Sequence, residues 1–314
     1  MEFDFSGIAK TPSMKHLLQQ AQIYAPINRP ILIRGERGTG KELIAKFIHE
    51  SSDRKNKPFV AINCAAMTEQ LLTSEIYGHE KGAFTGADTS RIGKLEQADG
   101  GTLFFDEIGN MSLSFQQKII RVVEYQEFEK VRGTEKIKVD VRILSATNAD
   151  LEEMMDEKLF MRDLYDRLTF AEIRIPPLRE RREDIPSMIV QFVQNLHEEI
   201  PNLLNKKFKK EVVNSLMDYH WPGNIRELKN FVERIYLGPA DQEITLEDLP
   251  LEMGGEKVIE SKLNFSGTFD EQVDLFKEQL IQNALLESNG KQKLASDILG
   301  MTYDQFRHYF KKFK

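Results

Sequence analysis

The chain has 314 residues, 40% of them hydrophobic and 30% charged, with a formal net charge of −7. That length has room for two or three domains, and the balance is that of a soluble globular protein with no apolar run near the roughly 18 residues of a membrane span. The acidic start Met1-Glu2-Phe3-Asp4-Phe5 is unlike a signal peptide, and a single cysteine, Cys64, permits no internal disulfide. Export and membrane insertion are therefore not expected, and the expected location is the cytoplasm. Cys64 itself reads as a small core residue rather than a reactive thiol.

Taken in chain order, apolar β-rich runs fall at Ile31–Arg34, Phe59–Ile62, Thr102–Phe105, Val141–Ala146 and Ala171–Ile175. Helix-like stretches lie between them, such as Glu42–Glu50 with Leu43, Ile44, Phe47 and Ile48 on one face. Alternating strands and helices predict an α/β unit with a parallel sheet covered on both faces. Pro176-Pro177 ends the pattern, since two prolines continue neither a central strand nor a helix interior. From Asp184 to about Leu249 the apolar spacing is helical throughout, which predicts an all-α subdomain. Gly254-Gly255, Ser261, Ser266 and Gly267 mark a linker, and helical spacing resumes from Phe269. The expected domains are 1–176, 177–250, a linker 251–268, and 269–314.

The last of these is unlike the rest in charge. Residues 289–314 carry six Lys/Arg against Asp297 and Asp304, a net +4 that leaves −11 for the remainder. A basic tail on an acidic body suits contact with a polyanion, although a solvated helical face would have the same composition. Within it Phe269–Glu287 reads as a long helix, Lys293–Leu299 as a short one, Gly300-Met301 as a turn and Thr302–Phe313 as a second short helix. Two short helices joined at a glycine describe a helix-turn-helix. Base contacts then fall to Thr302, Tyr303, Asp304 and Arg307, and phosphate contacts to Lys291, Lys293, Lys311 and Lys312 on double-stranded DNA.

The strand Ile31–Arg34 runs into Gly35-Glu36-Arg37-Gly38-Thr39-Gly40-Lys41-Glu42 and then a helix, the context of a phosphate-binding P-loop. Glycines let N–H groups converge on phosphate oxygens, Lys41 supplies positive charge, and the helix N-terminus adds its dipole. Glu42 stands where Ser or Thr would normally ligand magnesium. A second apolar strand ends in Asp106-Glu107. There Asp106 can hold Mg2+ and Glu107 can orient or deprotonate the attacking water. Together the two motifs predict ATP and Mg2+ as ligands. Asn148, at the end of the next strand, could sense the γ-phosphate, and Arg226, in the helical subdomain, could fork onto phosphate oxygens.

At this point the chain resembles the sigma-54-dependent enhancer-binding activators, a branch of the AAA+ ATPases. The resemblance is carried above all by Gly82-Ala83-Phe84-Thr85-Gly86-Ala87, and further by Asn63-Cys64-Ala65-Ala66, Pro177-Leu178-Arg179-Glu180-Arg181 and Trp221-Pro222-Gly223-Asn224. It covers about residues 7–314, and Glu42 is usual in the family's P-loops. The resemblance implies that the GAFTGA loop contacts sigma-54 RNA polymerase, that Asn63 restrains Glu107, and that the active sites lie between subunits of a ring, expected to be a hexamer. It also implies arginines acting in trans. Arg167 matches one such position. The family's Phe-Arg-x-Asp-Leu reads Phe160-Met161-Arg162-Asp163-Leu164 here, so Arg162 is displaced by one residue, about 100° around a helix. The tail resembles a Fis-type helix-turn-helix for an upstream activating site. With few residues before the ATPase region, the layout is similar to that of the phage-shock operon activators, which implies control by a separate inhibitory protein. Two other readings stand beside this one: a DNA-binding repressor whose ATPase does not act on sigma-54, and an AAA+ chaperone or replication loader.

Overall fold

A computed structural model of the protein describes residues 5–83, 89–238, 242–250, 253, 268–288 and 291–312. The chain divides into two units, Met1–Gly255 and Glu256–Lys314. Among the described residues no helix is long and apolar enough to cross a membrane.

The first unit is built on β1 (Ile31–Arg34), β2 (Phe59–Asn63), β3 (Thr102–Asp106), β6 (Arg142–Thr147) and β7 (Ala171–Arg174). They form one parallel sheet in the order β2-β3-β6-β1-β7. These are the five apolar runs of the sequence, and they lack polar alternation because the central strands are covered on both faces. Successive side chains take opposite sides, so Leu103 and Phe105 enter one core and Phe104 the other. Beyond the short N-terminal α1 (Phe5–Ile8), α2 (Pro12–Tyr24) and α3 (Lys41–Glu50) line the Phe104 side. On the other side pack α4 (Glu69–Tyr77), α5 (Lys94–Gln97), α6 (Leu113–Tyr125), α7 (Leu151–Asp156) and α8 (Arg162–Leu168). Polar caps set two of these starts: Ser112 Oγ accepts from Phe115 N–H at 3.2 Å, and Asp150 accepts from Glu153 N–H at 3.0 Å. An antiparallel hairpin, β4 (Glu127–Glu129) with β5 (Lys136–Lys138), has no counterpart among the expected strands. Three residues a side are too few for alternation to show.

The helical subdomain comprises α9 (Ile185–Glu199), α10 (Lys210–Asp218) and α11 (Asn224–Tyr236) around a core that includes Phe192, Leu216, Leu228 and Tyr236. The expectation of helices throughout 184–249 needs one amendment. A two-residue parallel pair joins β8 (Lys207–Phe208) to β9 (Glu243–Ile244), again too short to leave a periodic signal. Trp221 is fully buried, edge-on to Tyr219 and Phe231, and its Nε1–H donates to Leu216 O at 2.7 Å. Trp221 and Asn224 both hold positive φ, +48° and +53°. Asn tolerates that region; for Trp it costs on the order of 1–3 kcal/mol, offset here by burial.

The second unit contains α12 (Phe269–Glu287), α13 (Gln292–Ile298) and α14 (Tyr303–Lys312) around Ile281, Ala284, Ala295 and Phe306. Gly300 turns the chain between α13 and α14 at φ +63°. Thr302 then starts α14, its hydroxyl accepting from Gln305 N–H while its own N–H donates to Gln305 Oε1 at 3.0 Å.

Candidate nucleotide site and loop stem

The loop from Gly35 to Gly40 leaves β1 and delivers Lys41 as the first residue of α3. Gly38 and Gly40 sit at φ +78° and +97°, and a Cβ on Gly38 would come within 2.3 Å of Gly223 O. Only glycine satisfies both conditions at Gly38. Lys41 is buried. Its ammonium donates to Gly35 O at 3.0 Å and Glu36 O at 3.4 Å, and lies 3.3 Å from Glu107 Oε1. Thr39 hydroxyl donates to Glu36 O at 2.8 Å. Glu42 pairs along its helix with Lys46 at 3.4 Å.

Asp106 and Glu107 close β3, and Glu107 adopts φ +58°, an unusual backbone that turns its carboxylate toward Lys41. Asn148, at the end of β6, reaches the same carboxylate. Its N–H donates to Glu107 Oε2 at 3.3 Å, and its side-chain amide, oriented to match donor with acceptor, donates there as well. Burial, then the neighbouring Glu107 charge, raise the Asp106 carboxyl above its ordinary range, against the pull of Lys41. A divalent cation would reverse that penalty, and one or two protein carboxylates beside phosphate oxygens are what magnesium commonly takes. Asp106 fits that role, and the glycine loop with Lys41 fits a polyphosphate.

Asn63 is at this site but does not meet Glu107. Its Nδ2 donates to Asp106 Oδ2 at 3.2 Å and its Oδ1 accepts from Ala65 N–H at 2.9 Å. The strand register explains this, because β2 pairs with β3 so that Asn63 stands opposite Asp106. Cys64 is buried beside the two acids, and desolvation, followed by their charges, pushes its thiol well up.

The helical subdomain reaches the loop from the other side. Arg226 is exposed at the start of α11, and with Arg37, Asn230 and Arg234 it lines a cleft of about 560 Å³. Glu36 faces Arg179, whose two Nη groups donate to its carboxylate at 2.9 and 2.7 Å, and Asn224 Nδ2 donates to it at 3.1 Å. Those bonds hold the Glu36 carboxyl below its ordinary range. Sequence reasoning attached no chemistry to Arg179, Arg181 or Asn224, although each lies in a stretch that carried the resemblance.

On α8, Arg167 pairs with Asp163 and, at 3.2 Å, with Glu124. Arg162 is the first residue of α8 and is exposed. The expected 100° rotation does not apply, because Met161 is the extended N-cap and lies outside the helix. Met161 N–H donates to Gln116 Oε1 at 2.7 Å, and its side chain packs on the core beneath.

Of the GAFTGA residues, Gly82 and Ala83 are described; Phe84, Thr85, Gly86 and Ala87 lie outside the described residues. The stem is a tight crossing in which a Cβ on Gly93 would meet Gly78 N and Ile76 O, each at 2.4 Å. The tip of the β4–β5 hairpin braces it: Val131 N–H donates to Gly78 O at 3.1 Å, Glu80 N–H to Val131 O at 3.2 Å, and Arg132 Nη1 to Gly82 O at 2.7 Å. In the second unit Lys291, Lys293, Thr302, Tyr303, Asp304, Arg307 and Lys311 are exposed. Lys312 is exposed too, but it is tied to Asp274 of α12 at 2.7 Å.

A family model for the sigma-54 interaction domain matches residues 8–174, and one for an AAA+ ATPase lid domain matches residues 179–264. The chain is 42% identical over 321 residues to the psp operon transcriptional activator of Escherichia coli (strain K12), covering 99% of this chain and 98% of that protein. It is 41% identical over 298 residues to the transcriptional regulatory protein ZraR of Salmonella typhimurium, covering 95% of this chain and 66% of ZraR. Among solved structures, NtrX from Brucella abortus in complex with ATP superimposes with a TM-score of 0.71 at 33% identity, covering 97% of this chain and 68% of NtrX.

Proposed function

This chain belongs to the sigma-54-dependent transcription activators of the AAA+ class, and from that premise we propose that it hydrolyses ATP to remodel sigma-54 RNA polymerase from closed to open promoter complexes. The observation that carries the reading is the convergence of Lys41 and Asn148, from the ends of two other structural elements, on the carboxylate of Glu107, each at 3.3 Å. Phosphoryl transfer needs little beyond positioning and charge, and this is where both are supplied. The N–H groups of Gly38, Gly40 and Lys41, with the Lys41 ammonium, bind the phosphates. Glu107 orients and deprotonates the attacking water, and Asn148 holds that carboxylate in place. Asp106 is the residue to hold Mg2+, which when bound neutralises phosphate charge. Arg226 from the lid and Arg167 from a neighbouring copy in a ring, expected to be a hexamer, counter the charge that develops on the transferred group. Arg167 must leave Glu124 and Asp163 to do so, and Arg162, exposed at the helix start, is the second candidate.

In the same reading the 82–87 loop touches sigma-54, the tail 269–314 binds upstream DNA as a helix-turn-helix, and a separate protein restrains the activator in the phage-shock manner. The test is open-complex formation on a sigma-54 promoter with purified protein and ATP, wild type against Thr85→Ala. Wild type should open the promoter, while the variant hydrolyses ATP without opening it. A wild type that hydrolyses ATP yet never opens a promoter bearing its own binding site would overturn the reading.

A further inference from the structure

The phosphate-binding loop is held from outside by a set of bonds that none of its own residues could provide. The carbonyls of three successive loop residues each have one partner from the lid or the segment leading into it. Arg37 O accepts from Asn224 Nδ2 at 3.0 Å, Gly38 O from Ile225 N–H at 2.9 Å, and Thr39 O from Arg181 Nη2 at 2.9 Å. A peptide unit is planar, so drawing a carbonyl outward turns the N–H of the following residue inward. The bonds on Arg37 O and Thr39 O therefore turn the N–H groups of Gly38 and Gly40 toward the side where phosphate oxygens would bind, while Thr39 N–H closes the loop on Glu36 O at 3.4 Å. Glu36 adds a fourth tie through Arg179 and Asn224.

The partners are themselves fixed. Asn224 is fully buried at φ +53°, and its Oδ1 accepts from Leu178 N–H at 2.7 Å, which leaves its amide no freedom to rotate. Arg181 is fully buried against Met14 Sδ, and burial pushes its guanidinium down to about 10, still charged at neutral pH. Burying an arginine is costly to the fold, and the Asp184 charge offsets part of that cost here.

We propose that Asn224 and Arg181, with Arg179 through Glu36, are positioning residues that preorganise the phosphate-binding loop, so that affinity for the β-phosphate is set by the lid as well as by the loop. This rests on the nucleotide-site reading above. It also links lid and ligand in both directions, because a loop distorted by departing phosphates loosens the lid's grip, and a displaced lid releases the loop.

The test compares binding of ADP and of adenosine to the full chain. Asn224→Gly removes the amide yet keeps the left-handed backbone, and should weaken ADP about tenfold with adenosine little changed. Arg179→Gln breaks a half-exposed ion pair, a kind that contributes little to folding, and should weaken ADP about threefold in the same selective way. With ATP both variants should raise KM more than they lower kcat. A purely structural role would lower the melting temperature and leave the ADP-to-adenosine ratio at the wild-type value in the folded protein; that ratio unchanged in both variants overturns the proposal. Wild type failing to bind ADP at all would instead remove the nucleotide-site reading itself.

Discussion

At the scale of single residues, the carboxylate of Glu107 is where the site draws together, with the Lys41 ammonium and the Asn148 N–H each 3.3 Å away. Lys41, Asp106 and Glu107 follow from motif spacing, whereas Asn63 stands by Asp106 because of strand register, which no single segment reveals. Arg162 reads in the sequence as displaced by one helical residue, but Met161 before it is a non-helical cap, since helix starts depend on what the N–H groups meet. One titrating residue lies outside every motif of the sequence. His49 is buried on α3 with Nδ1 at 3.0 Å from Thr102 hydroxyl, and desolvation, then a backbone bond to Lys57 acting the other way, leave its pKa below the ordinary 6.5. Above pH 6.5 both folded and unfolded chains hold this histidine neutral. As pH falls below that value the unfolded chain takes up a proton that the folded one resists, so stability is lost toward the folded pKa, by at most about 1.4 kcal/mol per pH unit. The melting temperature of wild type should fall faster than that of His49→Gln between pH 7 and 5; parallel profiles would remove His49 from the account.

At the scale of elements, strands of four to six apolar residues were readable, and elements of two or three were not. The β4–β5 hairpin matters because it braces the stem of the 82–87 loop. That stem turns on Gly78, at φ +73°, crossing Gly93. Gly93→Ala places a methyl against backbone on both sides, which cannot yield as a side chain would. It should cost about 1–3 kcal/mol, seen as a lower melting temperature of the full chain. An unchanged melt would mean that the crossing is looser than its geometry.

At the scale of the whole molecule, the alternation of strands and helices and the break at Pro176 were enough to anticipate a parallel sheet with a helical lid. The bonds between lid and loop were not readable, because they join residues about 140 to 190 positions apart and depend on backbone carbonyls, which every residue has. Charge distribution also acts at this scale. If the basic tail binds duplex DNA, log affinity should fall with log salt by about 0.9 per phosphate neutralised. Lys311→Ala should reduce that slope by about one, and Lys312→Ala by less, since Asp274 already shares its charge. The reverse ranking, measured by fluorescence anisotropy on a duplex, would place the phosphate track on the other lysine. Finally, the chain has one tryptophan. Trp221 lies two residues from the Gly223 carbonyl that roofs Gly38, sealed between two aromatic rings. The tryptophan emission of the native protein is thus a single-site optical probe of the lid where it meets the glycine loop, readable as nucleotide is added without attaching any dye.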